Sequence, residues 1–155
     1  MTLGADVPVF VRGRTAFGEG LGERLTPVET PQCWFLVIHP GVAVPTREIF
    51  QAPELTRNSA VSTIPALLLS GGRNDCEPVV RRRFPEVADA LDWLARFAPA
   101  RLTGTGACVF ASFGSSAEAE RVAARVPDRW RAWVARGLDR SPLQEQLADW
   151  GVAKW

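Results

Sequence analysis

Apolar and polar positions along this chain follow two periods, and each period predicts an element. Val7 to Val11 is apolar and β-branched and reads as an edge strand in spite of Pro8. Thr15 to Glu23 carries glycine at 18, 20 and 22, the pattern of a twisted hairpin. Trp34 to Ile38 is a continuous apolar run, closed by Pro31 before it and Pro40-Gly41 after it, as a buried strand is. Thr46 to Gln51 predicts a short helix with Thr46 as its N-cap. A second helix is predicted over Val61 to Leu69, ending at Ser70-Gly71-Gly72 and weakened by Pro65.

The second half is more regular. Asn74-Asp75-Cys76-Glu77 has the form of a capping box, with Val79, Val80 and Phe84 as the buried face of the helix it opens. Pro85 suits the first turn of the next helix, where Val87, Leu91, Leu94 and Ala98 recur at helical spacing and Trp93 and Phe97 widen the stripe. Arg101-Leu102-Thr103 is short and extended. Gly104-Thr105-Gly106 is a glycine loop, and Ala107 to Phe113 is a strong apolar strand. Ser115 and Glu118 form another capping box over Ala119, Val122 and Val126. Trp130 to Val134 reads as a last strand, and Leu143, Leu147 and Trp150 as the apolar stripe of a terminal helix. The order β-α-β-β-α-β predicts an α+β, ferredoxin-like antiparallel sheet with helices on one face.

Composition narrows the function classes. A net charge of +1 gives no electrostatic argument for nucleic acid or an anionic membrane. No run approaches the roughly 20 apolar residues of a membrane span. Cys33, Cys76 and Cys108 stand at no metal-ligand spacing, and with His39 as the one histidine no zinc site is expected. Sparse, unpaired cysteines fit a reducing cytoplasm. The N-terminus lacks the basic and apolar regions of a signal peptide.

Two features carry candidate chemistry. The loop Thr103-Gly104-Thr105-Gly106 sets two glycines around a hydroxyl residue between strands, leaving backbone N–H groups uncovered by side chains. Taken alone it reads first as a tight β-turn, with a phosphate-approaching loop as the alternative. Asp6 is a carboxylate that can accept the proton of an attacking hydroxyl, although a turn aspartate is the plainer reading. Gly18 to Gly22 matches no nucleotide-loop spacing and reads as hairpin. His39 reads as a strand-end cap, Arg81-Arg82-Arg83 as a solvated helix face, and the six tryptophans mostly as packing.

Together the pieces are more specific than any one of them. Gly4-Ala5-Asp6-Val7-Pro8, then Asn74-Asp75-x-Glu77 with Phe84-Pro85-x-Val87, then Leu102 to Ala111 resemble, in order and interval, the GHMP small-molecule kinases, in the branch that acts on a diphosphocytidyl-methylerythritol alcohol. The resemblance runs from about residue 3 to about residue 143 and implies a C-terminal GHMP kinase domain over 31–155, with 1–30 a remnant of the N-terminal kinase domain. It implies ATP-dependent phosphorylation of the 2-hydroxyl of 4-diphosphocytidyl-2-C-methyl-D-erythritol in bacterial cytoplasm. Asp6 would be the acid-base residue, Thr103, Gly104, Thr105 and Gly106 would line the phosphates, and Mg2+ would accompany ATP.

The departures from the family pattern bear on activity. The family's assisting lysine has no counterpart, because Lys154 is the one lysine here, and the family's glycine-rich ATP loop is absent from these 155 residues. Positioning and electrostatics supply most phosphoryl-transfer catalysis. The resemblance therefore implies an incomplete chain, inactive without its N-terminal half. A stand-alone ferredoxin-like module that holds a metabolite without catalysis is the alternative from another class.

Overall fold

The first apolar segment is a helix and not a strand. In the computed structural model, which describes residues 4, 6–60, 63, 64 and 72–150, Val7–Arg12 forms α1. Pro8 lies in its first turn, where a missing N–H costs no hydrogen bond. Gly13 closes it in left-handed backbone at φ 62°, its N–H donating to the Val9 carbonyl at 2.9 Å. These end signals outweigh the β-propensity of Val7, Val9 and Val11.

The other elements, in chain order, are β1 (Ala16–Glu19), β2 (Arg24–Pro27), β3 (Trp34–His39), α2 (Thr46–Gln51), α3 (Glu77–Arg83), α4 (Pro85–Ala95), β4 (Ala100–Leu102), β5 (Val109–Phe113), α5 (Ser116–Ala123), β6 (Arg131–Arg136) and α6 (Pro142–Asp149). The helix expected over 61–69 lies almost wholly outside the described residues. The chain divides into two units, Met1–Gln32 with Leu138–Trp155, and Cys33–Gly137.

In the first unit the expected hairpin forms. β1 and β2 pair antiparallel from Ala16↔Pro27 to Glu19↔Arg24. Gly20 and Gly22 turn the chain at φ 70° and 96°, conformations that cost glycine little. The Leu21 N–H donates to Oε2 of Glu23 at 2.6 Å, and amides of Glu23 and Leu21 hold that carboxyl below the ordinary range. Asp139 fastens the return of the chain: Thr30 Oγ1 donates to its carboxylate at 2.8 Å, and the Thr15 N–H donates to its carbonyl at 3.0 Å. Gln144 on α6 donates to the Val11 carbonyl at 2.9 Å. The stripe expected on α6 is not a buried one, since Leu143 and Trp150 stand largely exposed.

In the second unit β3 is the hub. The sheet order is β4-β5-β3-β6 and every neighbour is antiparallel, so the four strands in chain order stand as 2-3-1-4, the ferredoxin-like arrangement. Register explains which face is covered. One face carries the cross-strand rows Leu102–Val109–Ile38–Ala132 and Ala100–Ala111–Leu36–Val134. These residues share a single cluster with Ile49 of α2, Val79 and Val80 of α3, and Val87, Ala90, Leu91 and Leu94 of α4. Helices therefore cover that face. The opposite face carries Phe35, Val37, Phe110 and Trp133, where Phe35 and Phe110 meet edge to face at 5.9 Å. Trp133 is more than half exposed. Trp130 sits just before β6, buried, its ring 5.8 Å from that of Trp93.

Local caps depart from the expected partners in an informative way. α2 begins at Thr46 with Pro45, not Thr46, at the cap, which leaves the Thr46 hydroxyl available to another partner. Ser115 caps α5 by accepting from the Glu118 N–H at 3.3 Å, as expected, but Glu118 reaches the Gly114 N–H at 3.1 Å. At α3 the cap position belongs to Cys76, whose N–H donates to Asn74 Oδ1, while the Asn74 amide nitrogen and the Glu77 carboxylate reach residues of another element.

Candidate functional site

The loop from Thr103 to Cys108 joins β4 to β5. Its neck is closed twice, by the Thr103 N–H donating to the Cys108 carbonyl at 3.0 Å and by the Thr103 hydroxyl at 3.2 Å. Inside it the Gly106 N–H donates to the Thr103 carbonyl at 2.7 Å, which is a β-turn. The plainer reading of the loop is thus correct as far as it goes.

The turn has further properties. Gly104 (φ 47°) has no atom within 4 Å of where a Cβ would stand, so its outer side is open. Gly106 (φ 92°) is packed instead, and a Cβ there would meet Leu102 Cδ1 at 3.2 Å and Val44 at 3.5 Å. Among the described residues the amides of Gly104, Thr105 and Ala107 donate no hydrogen bond. Uncommitted N–H groups beside an open glycine are able to donate to an anion's oxygens. The Thr105 hydroxyl lies 2.8 Å from that of Thr46, the group left over by the cap of α2.

Asp6 lies in the other unit, at the N-cap position of α1. It is exposed, it makes no side-chain cap, and among the described residues its carboxylate has no hydrogen-bond or ion-pair partner. An unengaged carboxylate at a helix start is free to accept a proton from a bound hydroxyl.

The remaining candidates are structural. The Gly41 N–H donates to Nδ1 of His39 at 3.0 Å, so the imidazole closes the end of β3. The arginines of α3 are committed: Arg81 to Asp92 at 2.6 Å and Glu77 at 3.6 Å, Arg83 to Glu54 at 2.8 Å, and Arg82 to the Pro78 carbonyl at 3.3 Å. Among the described residues no cluster of three or more His, Cys, Asp or Glu is placed to hold a metal, and no helix is long and apolar enough to cross a membrane.

Burial pushes the thiols of Cys76 and Cys108 up. Less thiolate is then present at neutral pH, and thiolate is the nucleophile. Iodoacetamide labelling followed by mass spectrometry should find both slower than a free peptide thiol at pH 7, with rates rising only above the ordinary thiol range. Fast labelling at pH 7 would contradict the burial.

Residues 52–132, just over half of the chain, match the family described as GHMP kinases C terminal. The chain belongs to that family. Over 147 residues this GHMP kinase domain is 58% identical to a 4-diphosphocytidyl-2-C-methyl-D-erythritol kinase of Alkalilimnicola ehrlichii, covering 95% of the chain and 50% of that relative. A crystal structure of a 4-(cytidine 5'-diphospho)-2C-methyl-D-erythritol kinase superposes with a TM-score of 0.71 at 31% identity, over 87% of the chain and 54% of that structure. The chain thus spans about half the length of the relatives it matches. The resemblance read from Asn74 to Ala111 falls within the matched region, and the ferredoxin-like fold agrees with the structural neighbour.

Proposed function

We propose that this chain is the C-terminal half of a 4-diphosphocytidyl-2-C-methyl-D-erythritol kinase and contributes Asp6 and the Thr103–Gly106 loop to transfer of the γ-phosphoryl group of ATP. The observation that carries this reading is the loop after β4, where three amides stand uncommitted beside an open glycine. Identity of 58% across nearly the whole chain to a kinase of that name supports it. The substrate's 2-hydroxyl oxygen attacks the γ-phosphorus while its proton passes to the Asp6 carboxylate. The new O–P bond forms as the bond to the β-phosphate oxygen breaks, releasing ADP. The loop amides donate to phosphate oxygens whose charge grows in the transition state. Magnesium enters this reading as the ion carried by ATP. The setting is a bacterial cytoplasm, which suits the free thiols of Cys76 and Cys108.

The 155 residues alone lack a glycine-rich ATP loop and should not turn over. The test is ADP release with magnesium-ATP and 4-diphosphocytidyl-2-C-methyl-D-erythritol. It compares the chain alone with the chain joined behind the N-terminal half of the Alkalilimnicola relative. Turnover by the joined protein only is expected. Silence in both would favour a metabolite-binding module without catalysis, and turnover by the chain alone would refute the incomplete site.

A further inference from the structure

β4 is an edge strand, paired with β5 on one side and, among the described residues, with no strand on the other. Exposed edge backbone is ordinarily hydrated or covered. Here two side chains of one short segment cover it. The Leu102 N–H donates to Oε2 of Glu77 at 3.2 Å, and the Leu102 carbonyl accepts from Nδ2 of Asn74 at 3.1 Å. The same Nδ2 donates to the Gly104 carbonyl at 2.7 Å.

Asn74 divides its amide between two tasks. Its Oδ1 accepts from the Cys76 N–H at 2.9 Å, which shapes the turn into α3. Its two N–H donors go to the strand end and the loop. A carboxylate can perform the first task and not the second, because it has no hydrogen to give. Asp75 anchors the segment from its other side: a hydrogen bond with Ser59 and the Arg73 guanidinium 2.6 Å away hold its carboxyl below the ordinary range.

The hold on Gly104 has a directional consequence. A trans peptide unit is planar, with its C=O and N–H pointing opposite ways. Fixing the Gly104 carbonyl on Asn74 therefore aims the Thr105 N–H away from Asn74, and that N–H is one of the three uncommitted amides. The Thr46–Thr105 hydroxyl contact at 2.8 Å fixes the same residue from α2. We propose that Asn74 is a positioning residue for the reaction: it locks the loop so that its amides are aimed before any phosphate arrives. The catalytic part of this inference rests on the kinase reading above, and the loop-locking part does not. Pre-aimed donors cost no reorganisation in the transition state.

Asn74→Asp separates the two tasks, since it keeps the acceptor for Cys76 and removes both donors. Nitrogen-15 relaxation and amide exchange on the full purified chain should show order parameters at Gly104 and Thr105 falling below about 0.6. The Gly106 amide should exchange about tenfold faster. The amides of Val79 and Val80, which donate to the Cys76 carbonyl, should be unchanged. An unaltered loop would overturn the proposal, and so would loosening of α3 together with the loop, because Asn74 would then be a turn former. Asn74→Ser, which keeps an acceptor but is too short to span to the loop, replaces the Asp variant if that one does not fold. In the joined kinase kcat should fall about ten- to a hundredfold, with KM for ATP little changed. An unchanged kcat would overturn the positioning role. If the joined wild-type protein is silent, the kinase reading fails, while the relaxation data still decide whether Asn74 locks the loop.

Discussion

Asp6→Asn should lower kcat of the joined kinase by about 10²–10⁴-fold and leave KM for ATP within a small factor. The substitution keeps size and shape and removes only the proton acceptor. It should be clean structurally, because the Asp6 side chain makes no cap bond in α1 and is exposed. The charge it removes from the helix start is worth at most about 1 kcal/mol, so circular-dichroism melts should barely move. Asp6→Glu, which restores a carboxylate at a longer reach, should recover part of kcat. Steady-state ADP release decides the matter, and full turnover by the Asn variant would return Asp6 to the plainer reading of a turn aspartate.

The sheet was legible in the sequence because its signals are local. Trp34 to Ile38 is an unbroken apolar run between prolines, Ala107 to Phe113 is a second largely apolar run, and Val87, Leu91 and Leu94 repeat at the helical period; the structure buries Leu36, Ile38, Val109, Ala111 and those three helix residues. The loop at Thr103–Gly106 was legible as a turn with bare amides for the same reason. Errors arose where two local rules competed. In Val7–Arg12 the β-branched residues suggested a strand, while Pro8 in the first turn and Gly13 after the last were helix end signals that decided the outcome. Asn74 and Glu77 have the spacing of a capping box, yet besides the Cys76 N–H and Arg81 nearby they reach Leu102 and Gly104 across the fold. No local rule contains a contact between residues 28 positions apart. That is why the device holding the loop was invisible while the loop was not. Asp6 could be picked out only through its resemblance to a motif, since an exposed, unpartnered carboxylate has no periodic signature.

The one-sided sheet makes a sharper claim than fold class alone. Leu94→Ala should destabilise the chain by about 2–5 kcal/mol, with a fall in Tm of at least ~8 °C for a unit of this size. Leu94 is fully buried, on the face of α4 that lies in one cluster with Leu36, Ile38 and Val109, so truncation leaves a cavity that close-packed neighbours cannot fill. Trp133→Ala removes more atoms but should cost only about 1 kcal/mol, because Trp133 stands 52% exposed on the face opposite the buried cluster. Side-chain size alone would rank the two the other way. Thermal melts of both variants therefore test which face the helices cover, and a Trp133 variant as unstable as the Leu94 variant would mean that the face bearing Phe35, Val37 and Phe110 is covered in the folded protein.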